Sequence, residues 1–247
     1  MTVLQTLILS FIEGITEFLP VSSTGHMILA STLLKIQETE FVKSFEIIIQ
    51  LGAILAVLIL YWKKVLWNKY VAIAFIPTAI IGLVLYKYIK DVLLGNPWVV
   101  VWSLGVGGVL LILLEKFQKE KQRKMTLFHA FLIGCAQSLS IIPGVSRAAA
   151  TIVGARLLGM KREAAVEFSF LLAIPTMAAA TGLDLIKSGR NFTGSQYELL
   201  AVGFIGAFIT ALITVKWFIN FVKTHTFIPF AIYRILAAVA FYVFVLR

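Results

Sequence analysis

Long apolar runs make up most of this chain, and the places where they break carry its information. Runs of the ~17–25 residues that a membrane-crossing helix needs lie at about 44–61, 70–89, 97–114, 164–186, 197–219 and 227–246. Two more apolar stretches are interrupted. The first contains Glu13-Gly14-Ile15-Thr16-Glu17-Phe18-Leu19-Pro20-Val21-Ser22-Ser23-Thr24-Gly25-His26. Here Pro20 is expected to stop a helix, Ser22 to Gly25 to form a polar turn, and the apolar pattern to resume at His26. The second, at about 126–158, breaks at Ile142-Pro143-Gly144-Val145-Ser146-Arg147. Neither is long enough to cross twice, so each reads as a re-entrant hairpin, a backbone tolerated at membrane depth where protein or water surrounds it. The expected fold is an all-α integral membrane protein with six full transmembrane helices and two re-entrant helix–loop–helix hairpins.

The chain also repeats itself. Val21-Ser22 returns as Val145-Ser146, with a proline just before each, and Lys43-Ser44-Phe45-Glu46-Ile47-Ile48-Ile49 resembles Val166-Glu167-Phe168-Ser169-Phe170-Leu171-Leu172. A single membrane domain, 1–247, therefore divides into halves at about 1–114 and 126–247, joined by a basic loop at 115–125. A hairpin plus three spans per half inserts the halves in opposite orientations, an arrangement typical of transporters.

Composition agrees with the pattern: 60% of residues are hydrophobic, 14% are charged and the mean hydropathy is +0.95, against about 25% charged in soluble domains. The alternating segments of a membrane β-barrel are absent. The first residues lack the basic region of a secretory signal peptide, and the lone Cys135 excludes an internal disulfide. The net charge of +10 comes from lysines and arginines between apolar runs, which is a topology signal and no sign of nucleic acid. If each hairpin returns to its side of entry, the loops at 62–69, 115–125, 159–162 and 216–226 carry twelve Lys and Arg. The opposite face, made of the polar segment 35–43, the loops at 87–96 and 187–196, and Arg247, carries seven. By the positive-inside rule the richer side is cytoplasmic and both termini lie outside. Trp62, Trp67 and Trp98 sit near span ends as an aromatic belt, and His129 and His225 near loop ends.

The polar breaks carry the chemistry. Glu13 and Glu17, one helical turn apart, project from one face and repel unless a cation or proton lies between them. Hard carboxylate oxygens suit Mg²⁺ or Ca²⁺, with phosphate and water completing the shell. Ser22, Ser23 and Thr24 add hydroxyls, and His26, three residues past Ser23, is placed as a general base or nucleophile or as the activator of a serine. In the second break Arg147 stands where a helix restarts, at a natural anion site, and its planar fork matches phosphate. Ser146 and Thr151 lie nearby, with Gln137 upstream. The bland reading is a Pro-Gly kink with a snorkelling arginine, but a mid-segment cation without an anionic partner is costly. Glu46 and Gln50 share a face toward the same cavity, and Glu167 either snorkels or pairs with Arg156.

At these residues the chain resembles the undecaprenyl-diphosphate phosphatase family of bacteria, the bacitracin-resistance membrane phosphatases. The matching stretches are Glu13 to His26, Pro143 to Arg147, Phe45-Glu46-Ile47-Ile48-Ile49-Gln50 and Glu167 to Pro175, and the likeness runs the whole length. The resemblance implies hydrolysis of undecaprenyl diphosphate to the monophosphate, which recycles the carrier lipid for the cell wall, at a plasma-membrane site facing outward. It implies Glu13 and Glu17 as the acidic motif, Ser23 and His26 as nucleophile and base, and Ser146, Arg147 and Thr151 as the diphosphate-binding motif. The expected partners are a polyprenyl diphosphate and the bilayer, with a homo-oligomer left open. The family motif usually continues Ser-Arg-Ser-Gly-x-Thr, whereas this chain reads Ser146-Arg147-Ala148-Ala149-Ala150-Thr151. Position 148 loses a hydroxyl and position 149 a flexible glycine: either a more regular helix is tolerated there, or phosphate binding is weakened, by up to about tenfold for one lost hydrogen bond. The rival reading is a lipid transporter or flippase built on the same repeats.

Overall fold

The computed structural model describes residues 1–65, 68–88, 96–118, 123–187 and 192–247. The basic loops expected at 62–69, 87–96, 115–125 and 187–196 lie partly outside these residues, as does Trp67. The described chain is helical: α1 (Val3–Thr16), α2 (Ser23–Leu33), α3 (Glu40–Val65), α4 (Lys69–Tyr88), α5 (Pro97–Phe117), α6 (Leu127–Ser138), α7 (Arg147–Leu157), α8 (Arg162–Lys187), α9 (Gly194–Thr224) and α10 (Ile228–Phe241). Of these, α3, α5, α8, α9 and α10 with the turn after it are long and apolar enough to cross a membrane. Large apolar side chains such as Val84, Trp102, Phe117 and Ile213 face outward, a surface suited to lipid and poorly suited to water. The chain is a multi-pass membrane protein.

The broken stretches differ in detail from the pattern-based expectation. Helix α1 ends at Thr16, ahead of Pro20, and Glu17 caps it with a helical backbone whose N–H donates to Glu13 O at 3.0 Å. Ser23, Thr24 and Gly25, expected in a turn, form the first turn of α2. The polar segment 35–43 is also shorter than expected, because α3 begins at Glu40.

Matching backbone features recur 124 positions apart. Thr2 caps α1 and Thr126 caps α6, each accepting from a backbone N–H three residues on. Ser22 (φ 72°) precedes α2 and Ser146 (φ 75°) precedes α7, while Lys35 (φ 52°) and Gly159 (φ 90°) follow these helices. Left-handed serines cost ~1–3 kcal/mol each and persist only where surroundings enforce them. The helices interlock across the two halves. Helix α9 packs on α1, and α4 packs in the same way on α6, while α3 meets α8 and α5 meets α10. Glycine permits the two interlocking contacts. A Cβ on Gly14 would lie 2.6 Å from Thr210 Cβ, and one on Gly134 would lie 2.1 Å from Ala74 O.

One side chain ties the two breaks together. Arg234 of α10 is fully buried and donates to five carbonyls. Nη1 reaches Pro20 O (3.1 Å) and Val145 O (3.0 Å), Nη2 reaches Gly144 O and Ser103 O (both 2.9 Å), and Nε reaches Leu104 O (3.3 Å). All five guanidinium N–H groups are thereby used. Gly107 makes way for it, since a Cβ there would lie 2.1 Å from Arg234 Nη2. Replacing Arg234 with Met strands these acceptors. Hydrogen bonds to a charged group contribute ~1.5 kcal/mol or more each, but Met also removes the cost of burying the charge, and a net loss of ~3 kcal/mol is expected. That lowers the apparent Tm in detergent by roughly 6–12 °C, and Arg234→Lys, with three donors on one nitrogen, recovers less than half of it.

Candidate active site

The two breaks meet at a cavity of about 160 Å³, lined by Glu17, Ser22, Ser23 and Thr24 from the first and by Ser140, Pro143, Gly144, Ser146 and Arg147 from the second, with Gln50 and Thr176 beside them. The N-terminal ends of α2 and α7 both lie on this cavity. Their first-turn N–H groups and partial positive charge make it an anion site with two contributing helices. Ser146 Oγ takes the Ala149 N–H at 3.2 Å, whereas the Ser22 side chain makes no such capping bond.

Glu17 is the junction of the site. Its Oε1 accepts from Arg147 Nη2 at 3.0 Å, and its Oε2 accepts from the Ser23 hydroxyl at 2.5 Å. Arg147 is held from its other side by Ser169 O at 2.9 Å, and its guanidinium lies over the Phe18 ring. The hydroxyl, its proton acceptor and a phosphate-matching fork therefore stand side by side. One turn back, Glu13 is fully buried and neither carboxylate oxygen has a hydrogen-bond partner among the described residues. An orphaned buried carboxylate is expensive; a proton or a hard cation would satisfy it. Among the described residues no cluster of three or more His, Cys, Asp or Glu exists, so any cation here takes the rest of its shell from phosphate and water.

Comparison with known proteins fits this geometry. Residues 6–240 match the family described as Bacitracin resistance protein BacA. The chain belongs to that family. It is 52% identical to the undecaprenyl-diphosphatase of Aquifex aeolicus (strain VF5) over 256 residues, covering 100% of both chains. It is 53% identical to that of Sulfurihydrogenibium sp. (strain YO3AOP1), covering 98% of this chain and 99% of the relative. The undecaprenyl-diphosphatase of Persephonella marina is 47% identical, with 100% of each chain covered.

Within this BacA-family chain the expected site residues divide into three groups. Glu17, Ser22, Ser23, Thr24, Ser146 and Arg147 line the cavity, and Glu13 is buried one helical turn behind Glu17. Gln137 and Thr151 stand behind it. Gln137 Nε2 donates to the Thr78 and Thr176 hydroxyls (2.9 and 3.0 Å), and Thr151 donates to Arg147 O at 2.8 Å and to Gln137 Oε1 at 3.4 Å. They support the α7 start without touching the cavity. His26 is turned away. Its Nδ1 bonds Ser22 O at 2.8 Å, its Nε2 meets the Tyr233 hydroxyl at 2.7 Å, and the two rings stack. The Ser23–His26 bond allowed by spacing does not form, because Ser23 already serves Glu17 and the ring is held by Ser22 O and Tyr233.

Other expectations are corrected too. Gln50 lines the cavity, but Glu46 accepts from Ser31 at 3.3 Å and does not line it. Glu167 pairs with Lys64 at 2.6 Å, while Arg156 donates to Met160 O. Ala148 is fully buried in the apolar core and does not line the cavity, so a hydroxyl there has no direct path to a phosphate. Two residues escaped the sequence reading. Arg234 carried a usable signal, an unpartnered cation inside an apolar helix; Tyr233 carried none. Tyr233→Phe removes one half-exposed hydrogen bond worth at most ~1 kcal/mol. The expected drop in apparent Tm is therefore no more than about 4 °C, and a larger fall in a thermal scan would mean that the His26–Tyr233 contact is structural.

Proposed function

We propose that this protein hydrolyses undecaprenyl diphosphate to undecaprenyl phosphate and inorganic phosphate, recycling the carrier lipid of cell-wall synthesis and thereby conferring bacitracin resistance. The observation that carries the reading is the convergence of two helix N-termini and Arg147 on the Glu17–Ser23 pair. The names of the full-length relatives support it. A transporter needs the anion cradle but has no use for a hydroxyl already bonded to a carboxylate.

The reaction follows from that geometry. The helix ends and Arg147 hold the diphosphate and offset the charge that develops on its oxygens. Ser23 Oγ attacks the terminal phosphorus while its proton passes to Glu17. The P–O bond to the bridging oxygen breaks, and undecaprenyl phosphate leaves. Glu17 returns the serine proton to the departing phosphate oxygen; water then attacks the phosphoserine and gives a proton to the freed carboxylate, which passes it to Ser23 Oγ as the Oγ–P bond breaks and phosphate is released. In this scheme Glu17 takes the role that spacing assigned to His26, which positions the Ser22 backbone at the α2 start. Glu13, with Glu17 beside it, would hold Mg²⁺ or Ca²⁺. A bound divalent ion supplies charge neutralisation at the phosphoryl oxygens.

The matched backbone features and interlocked packing support an inverted repeat of two halves, each a re-entrant hairpin plus three spans, with α4 as a sixth crossing. The lysine and arginine distribution favours a plasma-membrane orientation in which the cavity faces the extracytoplasmic side.

The decisive experiment is phosphate release from undecaprenyl diphosphate by purified protein in detergent. Ser23→Ala and Glu17→Gln are each expected to lower kcat ~10²–10⁴-fold, whereas His26→Gln, which keeps a hydrogen-bonding side chain, lowers it no more than about tenfold. Rapid quench with substrate labelled in the terminal phosphate should trap label on Ser23. Full activity of Ser23→Ala would rule out the serine pathway. EDTA should reduce release at least ~100-fold, with recovery on adding Mg²⁺ or Ca²⁺; undiminished release in EDTA would remove the metal from the scheme.

A further inference from the structure

A second cavity adjoins the first. It occupies about 640 Å³ between α3, α4, α8 and the second break, and it shares Gln50, Ser140, Thr176 and Ala180 with the polar cavity. Beyond these shared residues its walls are mainly apolar, formed by Ile47, Phe75, Ala79, Leu83 and Ile141. The combined space has a small anion-binding head and a larger hydrocarbon body. That is the shape of an amphiphile with a phosphorylated end. Gly82 of α4 also lines the body, and a Cβ placed there would meet nothing within 4 Å among the described residues.

This glycine has no packing explanation. Gly14 and Gly134 allow close helix contacts, but Gly82 faces open space, although glycine in a helix interior is less stable than alanine. We infer that the α3–α4–α8 cleft takes the first isoprene units of the substrate's polyprenyl chain, and that the absence of a side chain at Gly82 sets the room they have. The inference rests on the phosphatase reading and specifies the substrate's second half. Contacts with the chain are made equally in ground and transition states, so altering them acts on KM and leaves kcat little changed.

The test is a size series at one position: Gly82→Ala, Gly82→Leu and Gly82→Phe. For each, KM and kcat are measured on isopentenyl, farnesyl and undecaprenyl diphosphates, and the Kd of farnesyl diphosphate is measured by calorimetry in the same detergent. The preference for the farnesyl and undecaprenyl substrates over the five-carbon one should fall with added volume, by ~tenfold at Phe, and the farnesyl Kd should rise in step. Because the series is graded, Ala and Leu still decide the matter if Phe does not fold. Unchanged preference and unchanged Kd at Leu and Phe would overturn the inference, as would an equal loss on the five-carbon substrate, which would mean damage to the polar site. Failure of the unaltered protein to release phosphate would instead count against the phosphatase reading, and the calorimetric Kd series would then judge the cleft alone.

Discussion

Everything at the cavity depends on how the carbonyls of two broken helices are satisfied among apolar side chains. A break there strips hydrogen bonds from its own backbone, and apolar neighbours offer no replacement. Arg234 answers for both breaks at once, binding Pro20 of the first and Gly144 and Val145 of the second. Its anchors on Ser103 and Leu104 fix the group to α5. The left-handed serines at 22 and 146 are thus held in costly conformations by a clamp between them. None of the five acceptors is a carboxylate, so the guanidinium charge is spread over neutral dipoles and still contributes positive potential near the anion cradle.

The segments around the two breaks share a backbone plan and differ in their chemistry. Positions 124 apart show the division directly. Glu13 of α1 corresponds to Gln137 of α6; one is an orphaned carboxylate, the other an amide bonded to two threonines. Ser23, first residue of α2, corresponds to Arg147, first residue of α7, and both converge on Glu17 from opposite sides. In the proposed mechanism the first segment carries the groups that move protons and the second carries the groups that hold charge. A site between the two breaks needs both intact, and packing from elsewhere in the chain braces them: α9 on α1, α4 on α6 and α8 on α7.

Much of this was legible in the residues. The two breaks, their polar content, the repeat and the pairing of an acidic motif with an arginine motif all follow from local chemistry in apolar surroundings, where each ionisable group demands a reason. What escaped was relational. Spacing put Ser23 and His26 within reach of each other, but the competing carboxylate of Glu17 captured the serine, and a tyrosine 207 positions away captured the imidazole. Proline was expected to end α1, yet the helix had ended before it. Ala148 read as a lost phosphate ligand because the direction in which a first-turn side chain points depends on which helices pack around it. Arg234 was visible as an oddity, but its partners are backbone atoms, which no side-chain pattern can announce.

The clamp also has a consequence for the order of assembly. Arg234 follows Pro20 by 214 residues, so the chain must be almost wholly synthesised before the group that secures its first break exists. Until α10 is in place, the Pro20 carbonyl lacks the guanidinium that binds it, and the cradle cannot take its final shape. Contacts this distant along the chain form late, and a membrane protein emerging N-terminus first would keep its hydrolytic centre open and inactive until its last helix is in place. Completion of the protein and competence of the site are then one event.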